Sequence, residues 1–336
     1  VSVIREYIKL IRPYGLLFIG LTPVFGAICN GGTNATDLFI LLFIGLLGHI
    51  FVFVQNDYYD VEVDRRSKYV MDRPLTSGSI SKTQARLIYL GSFLISVILA
   101  GAFFSSITSL LVLLLAFFFM TLYNRYSKRI TGMELVLGAA VFLYGIYGAI
   151  TTSAPVSLFA ILISGVAGLQ WVFSVGVSAN LKDVEFDTKL GIRTTPVFLG
   201  VHAVGAQLEK PIIFFFYAYL IQFLHLLLGS LPFVLGYTSP MLAGVPLPLL
   251  GFLILACALL YTTQGILQTP LDRRDQMLRY EGAHEGLALL LVPCVLTTYV
   301  VEHLGVWFMI ALLVLVVLWP LFCLRLLYGK RLIPLE

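Results

Sequence analysis

Ten stretches of this 336-residue chain run for close to 20 residues with few charges, each long enough to cross the ~30 Å hydrocarbon core of a bilayer as a helix. They cover 14–31, 37–56, 85–104, 107–123, 134–152, 156–179, 211–231, 245–268, 284–301 and 305–328. The runs are continuous and lack the ten-residue alternation of barrel strands. Composition agrees: with 59% hydrophobic and 12% charged residues, the chain has too little charge to coat a soluble core. A soluble enzyme, a secreted disulfide scaffold and a disordered tail are excluded. The expected fold is an all-α, polytopic transmembrane helical bundle of nine to ten spans, the last two runs being divided only by a turn near His303. Cys29, Cys257, Cys294 and Cys323 lie in apolar runs with no CxxC pair, and are expected to be small buried residues.

The basic residues orient the spans. Arg5, Lys9 and Arg12 precede the first run; Arg65, Arg66, Lys68, Arg73, Lys82 and Arg86 follow the second; Arg125, Lys128 and Arg129 follow the fourth. Lys182, Lys189, Arg193 and Lys210 follow the sixth, Arg273, Arg274 and Arg279 the eighth, and Arg325, Lys330 and Arg331 close the tenth. All lie on one side, while the opposite loops carry only Asp37 and Glu302. Basic loops favour the cytoplasm, so an integral protein of the cytoplasmic membrane is expected, with both termini inside. The apolar N-terminal run lacks a small-residue cleavage site and reads as a span, preceded by a short interfacial helix over Arg5 to Arg12. A net charge of +4 does not suggest a nucleic-acid partner; lipids and amphiphiles do fit. The oligomeric state is not legible.

Acidic residues concentrate in two places. One reads Asn56-Asp57-Tyr58-Tyr59-Asp60-Val61-Glu62-Val63-Asp64 after the second run, the other Asn180-Leu181-Lys182-Asp183-Val184-Glu185-Phe186-Asp187 after the sixth. Both contain Asp-Val-Glu-x-Asp, which suggests two related halves, 1–130 and 131–270, within one transmembrane domain over 1–336, with 284–328 adding C-terminal spans and a site in a central cavity at the repeat interface. On continuous helices Asn56, Asp57, Asp60 and Asp64 fall within a wedge of roughly 100°, and Asn180, Asp183 and Asp187 within roughly 60°, with Glu62 and Glu185 pointing elsewhere. Facing acidic wedges without other counter-ions would repel, and their hard oxygen donors suit Mg²⁺. Solvated helix ends would explain one such motif more easily than two. An ion-coupled transporter is the competing class, but transporter sites lie near the midplane, whereas these acids sit at one face.

The run Asn56-Asp57-x-x-Asp60-x-x-x-Asp64, followed by Asp72-Arg73-Pro74-Leu75 and Ser77-Gly78, resembles the first signature of the UbiA superfamily of intramembrane prenyltransferases. Asp183-x-x-x-Asp187, followed by Gly191 and Arg193-Thr194-Thr195-Pro196, resembles the second. That family has nine spans, which leaves 305–328 as an extra one. The resemblance implies transfer of a prenyl group from a prenyl diphosphate to a lipophilic acceptor, such as an aromatic quinone precursor, through Mg²⁺-assisted ionisation to an allyl cation. It implies two Mg²⁺ ions, one on Asp57, Asp60 and Asp64, the other on Asp183 and Asp187. Asn56, Arg73, Lys128, Asn180 and Lys189 become candidate diphosphate contacts.

An allyl cation needs aromatic faces around it. Tyr123 and Tyr126 are candidate catalytic residues because Tyr123 to Arg129 resembles the family's tyrosine and basic loop after the fourth span; Phe53, Tyr58, Tyr59, Tyr144, Tyr147, Trp171 and Phe173 also lie near the motifs. His49, His202, His225, His284 and His303 are scattered along the chain and read as ordinary core or surface residues. The loops 65–84 and 188–210, rich in Gly, Pro and Thr, are expected to lie on the cytoplasmic side as lids over the diphosphate. A terpene cyclase of the same fold is the alternative within this chemistry.

Overall fold

The structure is a computed structural model and describes residues 3–67 and 69–331; Lys68, expected among the cytoplasmic cations, lies outside the described residues. Helices dominate. They are α1 (Val3–Ile11), α2 (Leu16–Gly20), α3 (Thr22–Cys29), α4 (Ala35–Asp64), α5 (Lys82–Phe103), α6 (Ile107–Tyr126), α7 (Met133–Ile150) and α8 (Leu158–Phe173). After α8 a π turn, Ser174–Ala179, leads to α9 (Val184–Leu190) and α10 (Thr195–Phe198), then α11 (Ile212–Val234), α12 (Leu247–Gln268), α13 (Arg274–Leu304) and α14 (Val306–Tyr328). A small antiparallel hairpin, β1 (His202–Val204) and β2 (Gln207–Glu209), pairs His202 with Glu209. Among the described residues ten helical stretches are long and apolar enough to cross a membrane.

Several boundaries are set by local backbone chemistry. The first span is broken: Arg12 adopts a left-handed backbone (φ 54°, ψ 61°), and α2 and α3 follow as short pieces around Leu21. Pro13, Gly15 and Pro23 account for this, since Pro removes a helical N–H and Gly lowers helix propensity. Helix α13 begins ten residues before the expected 284, because Arg274 to Ala283 continues the helix as a polar segment. Gly305, with φ 89°, separates α13 from α14, so the last two runs are distinct helices. The segment expected as a loop over 188–210 contains α10 and the hairpin.

The chain forms two compact units, one of residues 1–125, 143–160 and 318–336, the other of 126–142 and 161–317. The expected boundary near 130 is close to the first crossing, but the stretch 143–160 and the end of α14 pack with the first unit. There, α2 and α3 lie against α4 and α7 at glycine contacts: a Cβ on Gly45 would stand 2.1 Å from the Gly20 carbonyl oxygen, and one on Gly148 would stand 1.8 Å from that of Pro23. Small residues let helix backbones approach where lipid supplies no hydrophobic drive between helices. Asn124 on α6 donates to the Val52 carbonyl and Gln55 Oε1 at 2.9 Å each, and Trp319 Nε1 donates to the Pro13 carbonyl at 2.7 Å. In the second unit, Phe173, Val177, Leu181 and Val184 pack with Phe214, Ala218, Ile266 and Met277. This seats the second acidic motif on the ends of α11, α12 and α13.

Cys29 and Cys323 are buried as expected, but Cys257 is exposed and Cys294 half-buried. In a membrane protein an apolar position need not be interior. The outer faces of α5, α11, α12 and α14 carry exposed Leu94, Phe223, Ile254 and Phe322, where lipid takes the place of a core.

Candidate active site

The first motif closes α4. This helix starts cleanly because Asn34 accepts from the amides of Thr36 and Asp37 at 2.9 and 3.1 Å, and it stays helical through Asp64. Continuous phase puts Asp57, Asp60 and Asp64 on the inner face, at 3%, 7% and 8% exposure. Glu62 points outward to Arg65 and Lys82, at 3.4 and 3.3 Å. Asn56 Nδ2 donates to Asp60 Oδ2 at 3.3 Å.

Counter-ions are present here, contrary to the sequence expectation. Arg12 Nη2 lies 2.7 Å from Asp57 Oδ1, with its guanidinium over the Phe53 ring at 5.2 Å. Arg73 Nη1 lies 2.9 Å from Asp64 Oδ2 and 3.6 Å from Asp57 Oδ1. Arg73 was legible from its place after the motif. Arg12 was not, because it reads as one more topological cation; the available signal was its position at a Pro-broken helix end on the same side as the acids.

The second motif is not one helix. Helical structure through the π turn ends at Leu181, Lys182 and Asp183 form a turn, and α9 restarts at Val184. The expected 60° wedge of Asn180, Asp183 and Asp187 is therefore wrong in its premise, since the break at Lys182 and Asp183 resets the phase. Asp183 and Asp187 remain one turn apart, the Asp187 amide donating to the Asp183 carbonyl at 2.8 Å, while half-buried Asn180 belongs to the preceding helix. Arg274, another cation that the sequence reading left as a topology marker, donates to Asp183 Oδ1 at 2.9 Å and to the Lys182 carbonyl at 2.6 Å.

Asp187 is fully buried. Its Oδ2 accepts from Thr194 Oγ1 at 3.1 Å, and among the described residues its Oδ1 has no hydrogen-bond donor. Burial pushes its carboxyl up to about 6, with Asp183 adding to the rise and the Lys128 ammonium and the Thr194 hydroxyl opposing it. Lys128 thus comes near the second motif. Lys189 does not: it is exposed and pairs with Glu185 at 2.5 Å, because the phase of α9 turns it away from Asp187. Thr195 Oγ1 and, at 2.9 Å, the Tyr217 hydroxyl both donate to buried Glu134 Oε1, so the Thr194-Thr195 pair anchors the loop after α9 on two carboxylates.

Tyr123 and Tyr126 lie one turn apart at the end of α6, both half-buried. Tyr144 and Tyr147 are wholly buried, and the Tyr144 hydroxyl donates to the Ile44 carbonyl at 2.7 Å, which makes Tyr144 a packing residue. Among the described residues no three His, Cys, Asp or Glu side chains converge as a ready metal centre. Even so, the donor set is all oxygen, and the unfilled buried oxygen of Asp187 is an atom that a hard divalent cation would satisfy.

These features define an all-α integral membrane protein carrying two aspartate motifs, four of whose five aspartates are buried, each motif supported by arginine. The sequence model of the UbiA prenyltransferase family matches residues 17–280. Digeranylgeranylglyceryl phosphate synthase of Thermococcus gammatolerans is 30% identical over 206 residues, covering 59% of this chain and 70% of that protein. The 4-hydroxybenzoate octaprenyltransferase of Yersinia enterocolitica is 27% identical, covering 58% and 69%. Among solved structures, the fold matches a UbiA homologue from Aeropyrum pernix (TM-score 0.65, 14% identity, 85% of this chain and 98% of that one). It also matches one from Archaeoglobus fulgidus bound to GPP and Mg²⁺ (TM-score 0.60, 19% identity, 88% and 99%). The chain belongs to the UbiA prenyltransferase family, and is an integral membrane enzyme of prenyl transfer. Helix α14 lies beyond the matched residues.

Proposed function

We propose that this enzyme moves a prenyl group from a prenyl diphosphate onto a lipophilic acceptor, with Asp57, Asp60 and Asp64 holding one Mg²⁺ and Asp183 and Asp187 a second. The observation that carries this reading is the burial of Asp57, Asp60, Asp64 and Asp187, with half-exposed Asp183 one turn before Asp187 and an oxygen of Asp187 left unfilled. Bound Mg²⁺ would neutralise the diphosphate and improve it as a leaving group. Arg12, Arg73, Arg274 and Lys128 hold the carboxylates in place and supply further positive charge toward the departing diphosphate. Asn56 and Asn180 offer neutral donors and acceptors, and Tyr123 and Tyr126 supply faces for the allyl cation. Lys189 is left out of this set. The relatives' names point to two acceptor classes, a glyceryl phosphate lipid and a hydroxybenzoate.

The test is product analysis in membranes containing the protein, supplied with labelled geranylgeranyl diphosphate, Mg²⁺ and either geranylgeranylglyceryl phosphate or 4-hydroxybenzoate. A prenylated acceptor with stoichiometric diphosphate is expected. A cyclised hydrocarbon would establish the cyclase instead, and no diphosphate release at all would remove the enzyme reading of the site.

The proposed topology places both termini and the aspartate motifs in the cytoplasm. Thr33 and Arg66, both exposed, allow a check. Thr33→Cys should react with an impermeant maleimide from outside intact cells, and Arg66→Cys only after the membrane is opened; the reverse pattern would invert the orientation.

A further inference from the structure

Four helices of the second unit meet, within their spanning stretches, around polar side chains that neither aspartate motif uses. His284 on α13 is 1% exposed and stacks on Phe173, with ring centroids 4.3 Å apart and planes at 12°. Its Nε2 stands 2.9 Å from Gln222 Oε1 on α11, and its Nδ1 stands 3.4 Å from Gln170 Nε2 on α8. Gln222 Nε2 lies 3.5 Å from His225 Nδ1, and Thr263 Oγ1 on α12 lies 3.5 Å from Gln222 Oε1. The assignment that satisfies these contacts makes both imidazoles neutral, each carrying its proton on Nε2.

The network is incomplete. Gln170 Oε1 and His225 Nε2 are buried with no partner among the described residues, as is Ser178 Oγ on the π turn. Gln170, His225 and Ser178 are themselves 7%, 1% and 2% exposed. Buried polar atoms in a membrane interior are costly and mark substrate or proton pathways, and π turns gather at functional sites. Beside His284, Glu285 accepts from Ser174 Oγ at 2.5 Å. Glu134 is buried and held by Thr195 and Tyr217, and buried Glu281 faces Lys182 at 3.4 Å; Glu285 is half-exposed.

Position connects this cluster to the chemistry. Arg274, Glu281 and Glu285 recur along one face of α13 at seven- and four-residue steps. Arg274 touches Asp183, and Glu285 lies about 16 Å further along the helix, with its side chain leaning back toward the motif end. Prenyl transfer also releases a proton: the acceptor's oxygen or ring carbon bonds to the prenyl C1, the C1–O bond breaks with its electron pair leaving on diphosphate, and the acceptor loses H⁺. A protein group that takes this proton as the new bond forms assists the transfer.

Resting on the prenyl-transfer reading, we propose that this cluster receives the reacting polar end of the acceptor, a hydroxyl-bearing group, and that Glu285 takes the proton it loses as the new bond forms, the proton finally leaving with the released diphosphate. Gln170 and His225 hydrogen-bond the acceptor through their unfilled atoms, and His284 and Gln222 hold them in place.

The test uses the full-length protein in membranes with geranylgeranyl diphosphate, Mg²⁺ and, as acceptor probes, geranylgeranylglyceryl phosphate and 4-hydroxybenzoate. The quantity read is the ratio of prenylated acceptor to diphosphate released. For Glu285→Gln this ratio should fall by about 100-fold, the low end of what a general base contributes, with geranylgeraniol appearing in place of product. Glu285→Asp should restore part of the coupling. Gln170→Leu and His225→Phe should raise the KM for the acceptor without changing the KM for geranylgeranyl diphosphate. An unchanged ratio in Glu285→Gln would overturn the proposal, whether product and release both persist or both fall together, as a merely structural residue would produce. If the unmodified protein released no diphosphate or prenylated neither probe, the proposed function would fail and this inference with it. Normal turnover by the parent with an unchanged ratio in the variant would sink the inference alone.

Discussion

Asp57→Asn, Asp60→Asn, Asp183→Asn and Asp187→Asn should each lower prenyl transfer by at least ~10²-fold, the scale seen when one preorganised electrostatic group is removed from an active site. Glu62→Gln should stay within about twofold of the parent. The contrast follows from helix phase: the first-motif aspartates are buried on the inner face of α4, while Glu62 has 64% of its side chain exposed and pairs with Arg65 and Lys82. Asp57 needs a control, because this buried acid is the 2.7 Å partner of largely covered Arg12. Removing one member of a buried pair costs on the order of 3–5 kcal/mol, so turnover must be normalised to folded protein. Asp187→Asn is gentler on the fold, since burial already disfavours its charge. Equal losses for Glu62 and for the aspartates, measured as diphosphate release, would refute the assignment of the inner face as the working one.

The second large effect is loss of metal. Chelation should abolish diphosphate release, and Mg²⁺ should restore it. Arg12, Arg73 and Arg274 sit at 2.7 to 2.9 Å from Asp57, Asp64 and Asp183 and neutralise these acids, so the protein is expected to stay folded in excess chelator. Chelation should therefore be reversible, with helicity by circular dichroism unchanged while turnover disappears. Undiminished release in excess chelator would exclude the Mg²⁺ assignment. Loss of helicity along with activity would mean that the cations, and not the arginines, keep the acidic ends folded.

Much of this protein was legible without coordinates, wherever the governing physics is local. Uninterrupted apolarity over ~20 residues marks a span because the bilayer, not a tertiary partner, is the solvent. The inward phase of Asp57, Asp60 and Asp64 and the outward phase of Glu62 follow from rotation along one unbroken helix. The same rule failed at Asn180, Asp183 and Asp187, where a break at Lys182 and Asp183 interrupts the count. The cysteines show the converse: hydropathy reports that Cys257 avoids water but does not distinguish lipid from core.

Only the tertiary structure paired Arg12 with Asp57 across 45 residues and Arg274 with Asp183 across 91, turning two topological cations into neighbours of the candidate site. It alone joined His284 to Gln170 and Gln222, 114 and 62 residues away, with His225 held by Gln222, although the histidines look scattered along the chain. Sequence determines what each residue can do and, within one helix, which way it faces. Which distant residues share a neighbourhood depends on how helices with similarly apolar surfaces pack, and that choice rests on small-residue contacts such as Gly45 on Gly20 and on long-range hydrogen bonds that no local pattern announces.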